Sequence, residues 1–413
     1  MQHAAPAGVA ANAAVNRAGQ PWPANLASKD GQRLMKITQL RTFVIDGGSS
    51  NWVFVKVYTD EGIVGLGEGT IASKAQTMAA AIMEHERYLV GKDPRQIERL
   101  WQAMYRYARW RGGPVLNSAI SAIEIAFWDI LGKALGVPIY QLLGGAARDR
   151  VRMYAHLGGQ TPEEAADRAQ ALVEAGYTAL KMGGFVARDG VVRPSEGIRL
   201  AIEKVRAVRE AVGPDVDVLI DAHGQLTPVM ALEFCERVAE YRPFFVEEAT
   251  QPEDVDGLAW LAERVRVPLA TGERLFTKYG FAPIVDRHLV SYVQPDIVHC
   301  GGILELKKIA AMAEAHSIDV APHNPQSEIS TMASIHLNAC TPNAVILEHV
   351  HQSPPWRYDI FEEPGYTVTN GYVELPTKPG LGLELNEAEA AKHPYRPDLR
   401  PMWVWPDGGV ADW

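Results

Sequence analysis

The chain has 413 residues, 47% hydrophobic and 22% charged, ordinary proportions for a globular protein with room for one large barrel or two domains. Its 50 acidic residues against 40 Lys and Arg give a net charge of −10, which argues against nucleic acid or an anionic membrane surface as partner. A small anionic substrate stays open, provided the site supplies its own cation.

The first 34 residues are rich in Ala, Pro and Asn and lack a basic start followed by a continuous apolar stretch. They read as a flexible extension without a secretory signal, and Met35 is a candidate start. "MKITQLRTFVI" then opens like a strand, and "WVFVKVYTDEGIVGLGEG" carries β-branched and aromatic alternation around a DEG hairpin signal. From Ala72 to about Gly145 the pattern is helical, as in "SAISAIEIAFWDILGKALG". Residues 35–150 are therefore expected to form a compact α+β unit. No unbroken apolar run approaches the ~18 residues of a spanning helix. Cys235, Cys300 and Cys340 are widely spaced with no CxxC pair, the usage of a reducing compartment, and a cytoplasmic location is expected.

After Arg150 short apolar strands ending in polar residues alternate with amphipathic helices. The strand candidates cover 152–157, 177–183, 217–224, 244–249, 268–273, 292–299, 319–324 and 344–349. Eight such units over 151–350 predict a (β/α) barrel of TIM type. A doubly wound open sheet is the alternative, disfavoured because no GxGxxG follows the first strand.

The strand-ending polar residues recur at one repeat length. Asp221, Glu247 and Glu273 are 26 apart, and Asp296, His323 and Glu348 follow at 23, 27 and 25. In a barrel, equivalent strand ends converge on one mouth. A single acid there is more often a loop cap than a ligand. Three on successive repeats would repel one another, so something positive must sit between them. An all-carboxylate set favours Mg²⁺. His323, one repeat beyond Asp296, has the placing of a general base whose tautomer a carboxylate fixes. In "VLIDAHG", Asp221 and His223 are two apart and on a strand would share a face. His223 would then approach from the side opposite His323. The arrangement suits removal of a proton α to a carboxylate by His323, an enediolate stabilised beside the metal, and proton delivery to a leaving group by His223.

The chain resembles the mandelate racemase-like group of the enolase superfamily, most closely its D-galactonate dehydratases. The likeness runs through "TDEGIVGLGE", "RGGPVLNSAISAIEIAFWDILGK", "LATGERLF", "QPDIVHCGGI", "APHNP", "LPTKPGLGLELNEAEA" and "DGGVADW". It implies a modified enolase-type barrel with an N-terminal α+β capping domain, and a C-terminal segment, 351–413, returning to the cap. Loops at Gly47–Asn51 and Arg109–Gly113 would choose the substrate. It implies Asp221, Glu247 and Glu273 as Mg²⁺ ligands, His323 and Asp296 as base and partner, and His223 as the acid that expels a β-hydroxyl. Glu348 would lie near the substrate carboxylate, protonated or hydrogen-bonded. The family also forms even-numbered homo-oligomers, often octamers.

Three features depart from the family pattern. "LKMGG" keeps Lys181 but puts Gly183 where racemases carry a second lysine base; the usual "EEP" reads "EEA" at Ala249; and "HQSPPWRYDIFEEPGY" is unlike the family. Lys181 either orients the substrate or is a solvated strand-end lysine. "RYARWRGGP" is either a basic lid or an ordinary helix end. The sequence reading is a lyase that dehydrates an acid sugar such as D-galactonate to a 2-keto-3-deoxy acid. An epimerase or lactone-forming cycloisomerase on the same scaffold is the enzymatic alternative. A metal-dependent binding protein is the other, and the intact ligand set and dyad weigh against it.

Overall fold

The computed structural model describes residues 34–107, 109–183, 190–350, 354–398 and 402–411. The expected N-terminal extension, up to residue 33, lies outside them, as does Ala108 of the basic stretch. Strands β1 (Ile37–Asp46), β2 (Asn51–Thr59) and β3 (Val64–Glu68) form an antiparallel sheet in that order. The DEG signal is the turn between β2 and β3, where Gly62 takes φ +75° and its N–H reaches Thr59 O.

Against β3 lies the helix Pro114–Leu135, which starts with proline and ends at Gly136 in the left-handed conformation. Glycine explains how close the two come. A Cβ on Gly65 would stand 2.1 Å from Ala126 O, and one on Gly67 1.9 Å from Ala122 O. By length and mean hydropathy this 22-residue helix qualifies as a membrane span, although Glu124 and Asp129 interrupt its apolar run. It is instead a core helix, with 83% of its most apolar window buried inside the protein. Its polar side chains tie the domains together. Glu124 accepts the N–H groups of Ile303 and Leu304 at 2.7 and 2.9 Å, and Asp129 accepts those of Leu66 and Leu381 at 2.9 and 2.8 Å.

The second unit contains β4 (Arg150–His156), β5 (Ala179–Gly183), β6 (Asp217–Asp221), β7 (Phe245–Glu247), β8 (Leu269–Thr271), β9 (Tyr292–Val293), β10 (Asp319–Val320) and β11 (Leu347–His349). Each falls on one of the expected strand segments. They are parallel in sequence order, with β11 beside β4, and a parallel bridge from Val320 to Ala344 joins β10 to the run entering β11. That closure makes a barrel and removes the open-sheet alternative. Tyr154, Ala179, Leu219, Phe245, Ala270, Ala321 and Ile346 form a buried cluster of their own inside the ring. Strand side chains alternate, so the residues two positions further on face inward at the C-terminal mouth.

The strand β12 (Tyr372–Glu374) pairs antiparallel with β4. The chain then meets the cap. Asp46 N–H donates to His393 O at 2.9 Å, and the Asn51 side chain exchanges hydrogen bonds with the Arg396 backbone at 2.6 and 3.0 Å. Further on, Val404 pairs with the backbone of Gly190 and Val192 at 3.0 and 2.8 Å. The three cysteines are free and buried.

Glu68, at the end of β3, links the cap to the segment carrying the site. Its carboxylate accepts from Thr70 Oγ1 at 2.6 Å, Ser327 Oγ at 2.5 Å and Ser330 N at 3.1 Å, at the start of the helix Glu328–Ala339. Burial raises its pKa to about 7, although these donors pull the other way. The folded pKa exceeds the unfolded 4.5, so the stabilising contribution is complete below about pH 4.5 and is lost as pH rises through 7. The stability gap between wild type and Glu68→Gln, whose side chain does not titrate, should shrink by about 1 kcal/mol per unit between pH 5 and 7. Urea unfolding at several pH values reads it; a pH-independent gap would mean that Glu68 is ionised throughout.

Candidate active site

Asp221 and Glu247 end β6 and β7, and Glu273 follows β8. One carboxylate oxygen from each lies within 4.8 Å of those of the other two. Asp221 and Glu247 are buried, and the Glu273 side chain is 14% exposed. Burial, and for Glu247 the adjacent Asp221, pushes the Glu247 carboxyl well above its usual range, and burial raises Glu273 to about 7. Asp221 is pulled down, against burial, by Lys181 and His223. Glu247 Oε2 is fully buried with no hydrogen-bond partner among the described residues. An orphaned carboxylate oxygen beside two further carboxylates, with no sulfur donor among them, fits a hard divalent cation.

Lys181 on β5 lies among these acids. Its Nζ is 2.8 Å from Glu247, 2.9 Å from Glu348 and 3.1 Å from Asp221, and its side chain is 3% exposed. The solvated-lysine reading therefore fails. Its pKa is raised well above normal, the carboxylates overcoming the opposing effect of burial.

His323 follows β10. Its Nδ1–H donates to Asp296 Oδ2 at 2.7 Å, and Nε2 faces Glu273 Oε2 at 3.2 Å. Asp296 is fully buried and also accepts from Val298 N at 2.8 Å and Gln326 Nε2 at 2.7 Å. Burial opposes charging of His323, yet Glu273, Glu348 and Asp296 lift its pKa to about 10. Those are charges a divalent cation would partly neutralise. The dyad is anchored to the cap as well. Gln326 Nε2–H also reaches His299 Nε2 at 3.3 Å, and His299 Nδ1 meets Ser118 Oγ on the helix Pro114–Leu135 at 2.8 Å.

His223 reaches the site differently from simple strand alternation. β6 stops at Asp221, whose Oδ1 accepts the His223 N–H at 2.9 Å, and His223 takes φ +51°. A local side-chain-to-backbone turn of this kind ends the strand. The ring still comes back to the metal-ligand candidate, with Nε2 3.2 Å from Asp221 Oδ2. Its side chain is 36% exposed.

Glu348, on β11, is buried and hydrogen-bonded, one of the two states the sequence reading allowed. Its Oε2 accepts Asn324 N at 2.6 Å, and Oε1 meets both Lys181 and His156 Nε2. Burial would raise its pKa, but Lys181, His323 and His156 hold it well below the usual carboxylate range.

Sequence reasoning missed several supporting groups. Glu248 and Arg274 each directly follow a carboxylate of the triad and pair with each other at 2.6 and 2.9 Å, which clamps the two loops together. Glu248 does so at φ +47°, a strained setting of the kind that gathers at functional sites. Gln326, His299 and Ser118 carried no sequence signal. His156 did: it ends the first barrel strand 25 residues before Lys181, in the rhythm of the other site residues.

Residues 37–144 match the mandelate racemase / muconate lactonizing enzyme N-terminal domain, and residues 164–389 match the enolase C-terminal domain-like family. The chain belongs to the mandelate racemase / muconate lactonizing enzyme family. It is 39% identical over 388 residues to a D-galactonate dehydratase of Pectobacterium atrosepticum, covering 92% of this chain and 100% of that protein. A D-galactonate dehydratase of Ralstonia pickettii is 39% identical over 386 residues, with the same coverage. Among solved structures, an enolase from Pantoea ananatis with bound D-gluconate and Mg superposes with a TM-score of 0.86 at 32% identity, covering 91% of this chain and 99% of that one. A mandelate racemase / muconate lactonizing enzyme-like protein from Roseovarius gives 0.84 at 34%, covering 89% and 98%. Gly183 ends β5 without a side chain, and a Cβ added there would meet nothing within 4 Å among the described residues.

Proposed function

We propose that the protein is a Mg²⁺-dependent dehydratase of sugar acids, converting an aldonate such as D-galactonate to its 2-keto-3-deoxy acid. Asp221, Glu247 and Glu273 would hold the ion. Bound there, it would carry the substrate carboxylate and offset the negative charge that builds when the α proton leaves.

The observation that carries the reading is the pair of imidazoles at the mouth of one barrel, each with its own carboxylate. His323, with Nδ1–H committed to Asp296, turns Nε2 to the mouth beside Glu273, and with the cation held by that carboxylate Nε2 would be the atom that takes the α proton. His223, beside Asp221, would give a proton to the β-hydroxyl as the C–O bond breaks, and water leaves. The enol so formed ketonises to the 2-keto acid. Lys181, buried among three carboxylates, compensates their charge below the substrate. Gly183 supports elimination over two-base isomerisation, because it supplies no base. The dehydratase relatives and the gluconate-bound neighbour support the same substrate class.

Incubating the Mg²⁺-loaded protein with aldonic and aldaric acids in D₂O tests the reading, with keto acid followed by semicarbazide absorbance and α-deuteration by NMR. Keto acid from one aldonate is expected; exchange without keto acid would move the chemistry to isomerisation. His223→Asn should keep α-proton exchange while dehydration falls by about 10²–10⁴-fold, the usual share of one positioned acid. Full turnover by that variant would assign the acid elsewhere.

A further inference from the structure

The inward ring at the barrel mouth follows from strand alternation. Two residues beyond the buried layer formed by Ala179, Leu219, Phe245, Ala321 and Ile346 stand Lys181, Asp221, Glu247, His323 and Glu348. Tyr154 belongs to the same buried layer, and two residues beyond it is His156. The first strand thus contributes an imidazole to the ring that the other strands use for the site. In register His156 pairs with Lys181, and its strand neighbour on the other side is β11, which carries Glu348.

Exposure separates the groups on this arc. Lys181 is 3% exposed and Glu348 0%, whereas the His156 side chain is 37% exposed. Both oxygens of Glu348 are already engaged, Oε1 by Lys181 and His156, Oε2 by Asn324 N. A ligand in the mouth therefore meets His156 here, and Glu348 lies behind it. With Nε2 on Glu348, the ring is fixed and Nδ1 has no bonding partner among the described residues. A sugar hydroxyl both donates and accepts, so it matches Nδ1 in either protonation state of the ring.

We propose that His156 is a substrate-binding residue whose Nδ1 takes a hydroxyl of the sugar-acid chain, with Glu348 acting as the positioning residue for its ring. The assignment rests on the dehydratase reading. It moves substrate selection on this arc from Lys181 and Glu348 to a residue of the first strand.

Three variants of the full Mg²⁺-loaded protein separate the roles. His156→Leu removes both ring nitrogens. His156→Asn keeps a polar atom near the place of Nδ1, and His156→Gln keeps one near Nε2. For the best aldonate, His156→Leu should raise KM about tenfold, what loss of one hydrogen bond brings, and level the preference between aldonates epimeric at one hydroxyl. Turnover number should change far less than KM. Asparagine should restore KM and preference, and glutamine should not. The same order should appear in calorimetric binding of the aldonate in a His323→Asn background, where no turnover intervenes.

An active wild type with unchanged KM and preference in His156→Leu would overturn the assignment, as would rescue by glutamine but not asparagine, the mark of a residue that only braces Glu348. If the wild type neither binds nor converts any sugar acid while Mg²⁺ still raises its melting temperature, the dehydratase reading itself falls, and this assignment with it.

Discussion

His323→Asn is expected to abolish exchange of the substrate α proton with solvent deuterium, by at least about 10²–10⁴-fold, while Mg²⁺ affinity stays near that of the wild type. The imidazole is the only part of the dyad that faces the mouth, because Asp296 is fully buried and its carboxylate is occupied by His323, Gln326 and Val298 N. Asparagine can keep a hydrogen bond to Asp296 but has no nitrogen that takes a proton at neutral pH. The three metal-ligand candidates keep their own side chains, and only Glu273 loses a neighbour. NMR in D₂O, with Mg²⁺ titrated calorimetrically in parallel, reads both halves. Exchange at the wild-type rate would place proton abstraction on another group, and lost Mg²⁺ binding would mean that the imidazole supports the ion through its 3.2 Å contact with Glu273.

The barrel was legible because its parallel strands write their own rhythm: an apolar run, a polar residue at the mouth, a helix, and again about 25 residues later. That rhythm alone places Asp221, Glu247, Glu273, Asp296, His323 and Glu348 on one rim. It is also why Lys181 stayed ambiguous. A strand-end lysine looks the same whether it meets solvent or three carboxylates, and only the structure shows that Asp221, Glu247 and Glu348 surround it. His223 illustrates a second limit. Counting two along a strand put it beside Asp221, but the strand ends first and a turn with positive φ does the work. The groups that steady the dyad were invisible for a third reason. Gln326, His299 and Ser118 lie in separate segments and become one network only when the cap helix packs on the barrel. Likewise the helix Pro114–Leu135 looks apolar in composition, while its buried Glu124 and Asp129 bind backbone amides of other segments. The long-range partners of a polar residue are a property of the fold, and local pattern carries no record of them.

Removing the metal or its central ligand should have the other large effect, with opposite consequences for activity and for stability of the ion-free protein. Chelation is expected to silence turnover, and Mg²⁺ to restore it. Glu247→Gln should lose on the order of 10³-fold even at saturating Mg²⁺, equivalent to the several kcal/mol that a Lewis-acid ion supplies at such a centre. The same substitution should raise the melting temperature of the ion-free protein. Glu247 is fully buried among Asp221, Glu273 and Glu348, its carboxyl is already pushed well above the normal range, and Oε2 has no hydrogen-bond partner among the described residues. An amide keeps an oxygen for Lys181, 2.8 Å away, and stays neutral where an ionised carboxylate would repel its neighbours. Wild-type protein gains stability from Mg²⁺ by mass action, about 2.7 kcal/mol at a hundredfold excess over Kd. In Glu247→Gln that gain should largely vanish. Thermal melts with and without Mg²⁺ test both signs at once. A variant that is destabilised without the ion yet still stabilised by it would show that Glu247 serves the fold through Lys181 and that the ion is held without it.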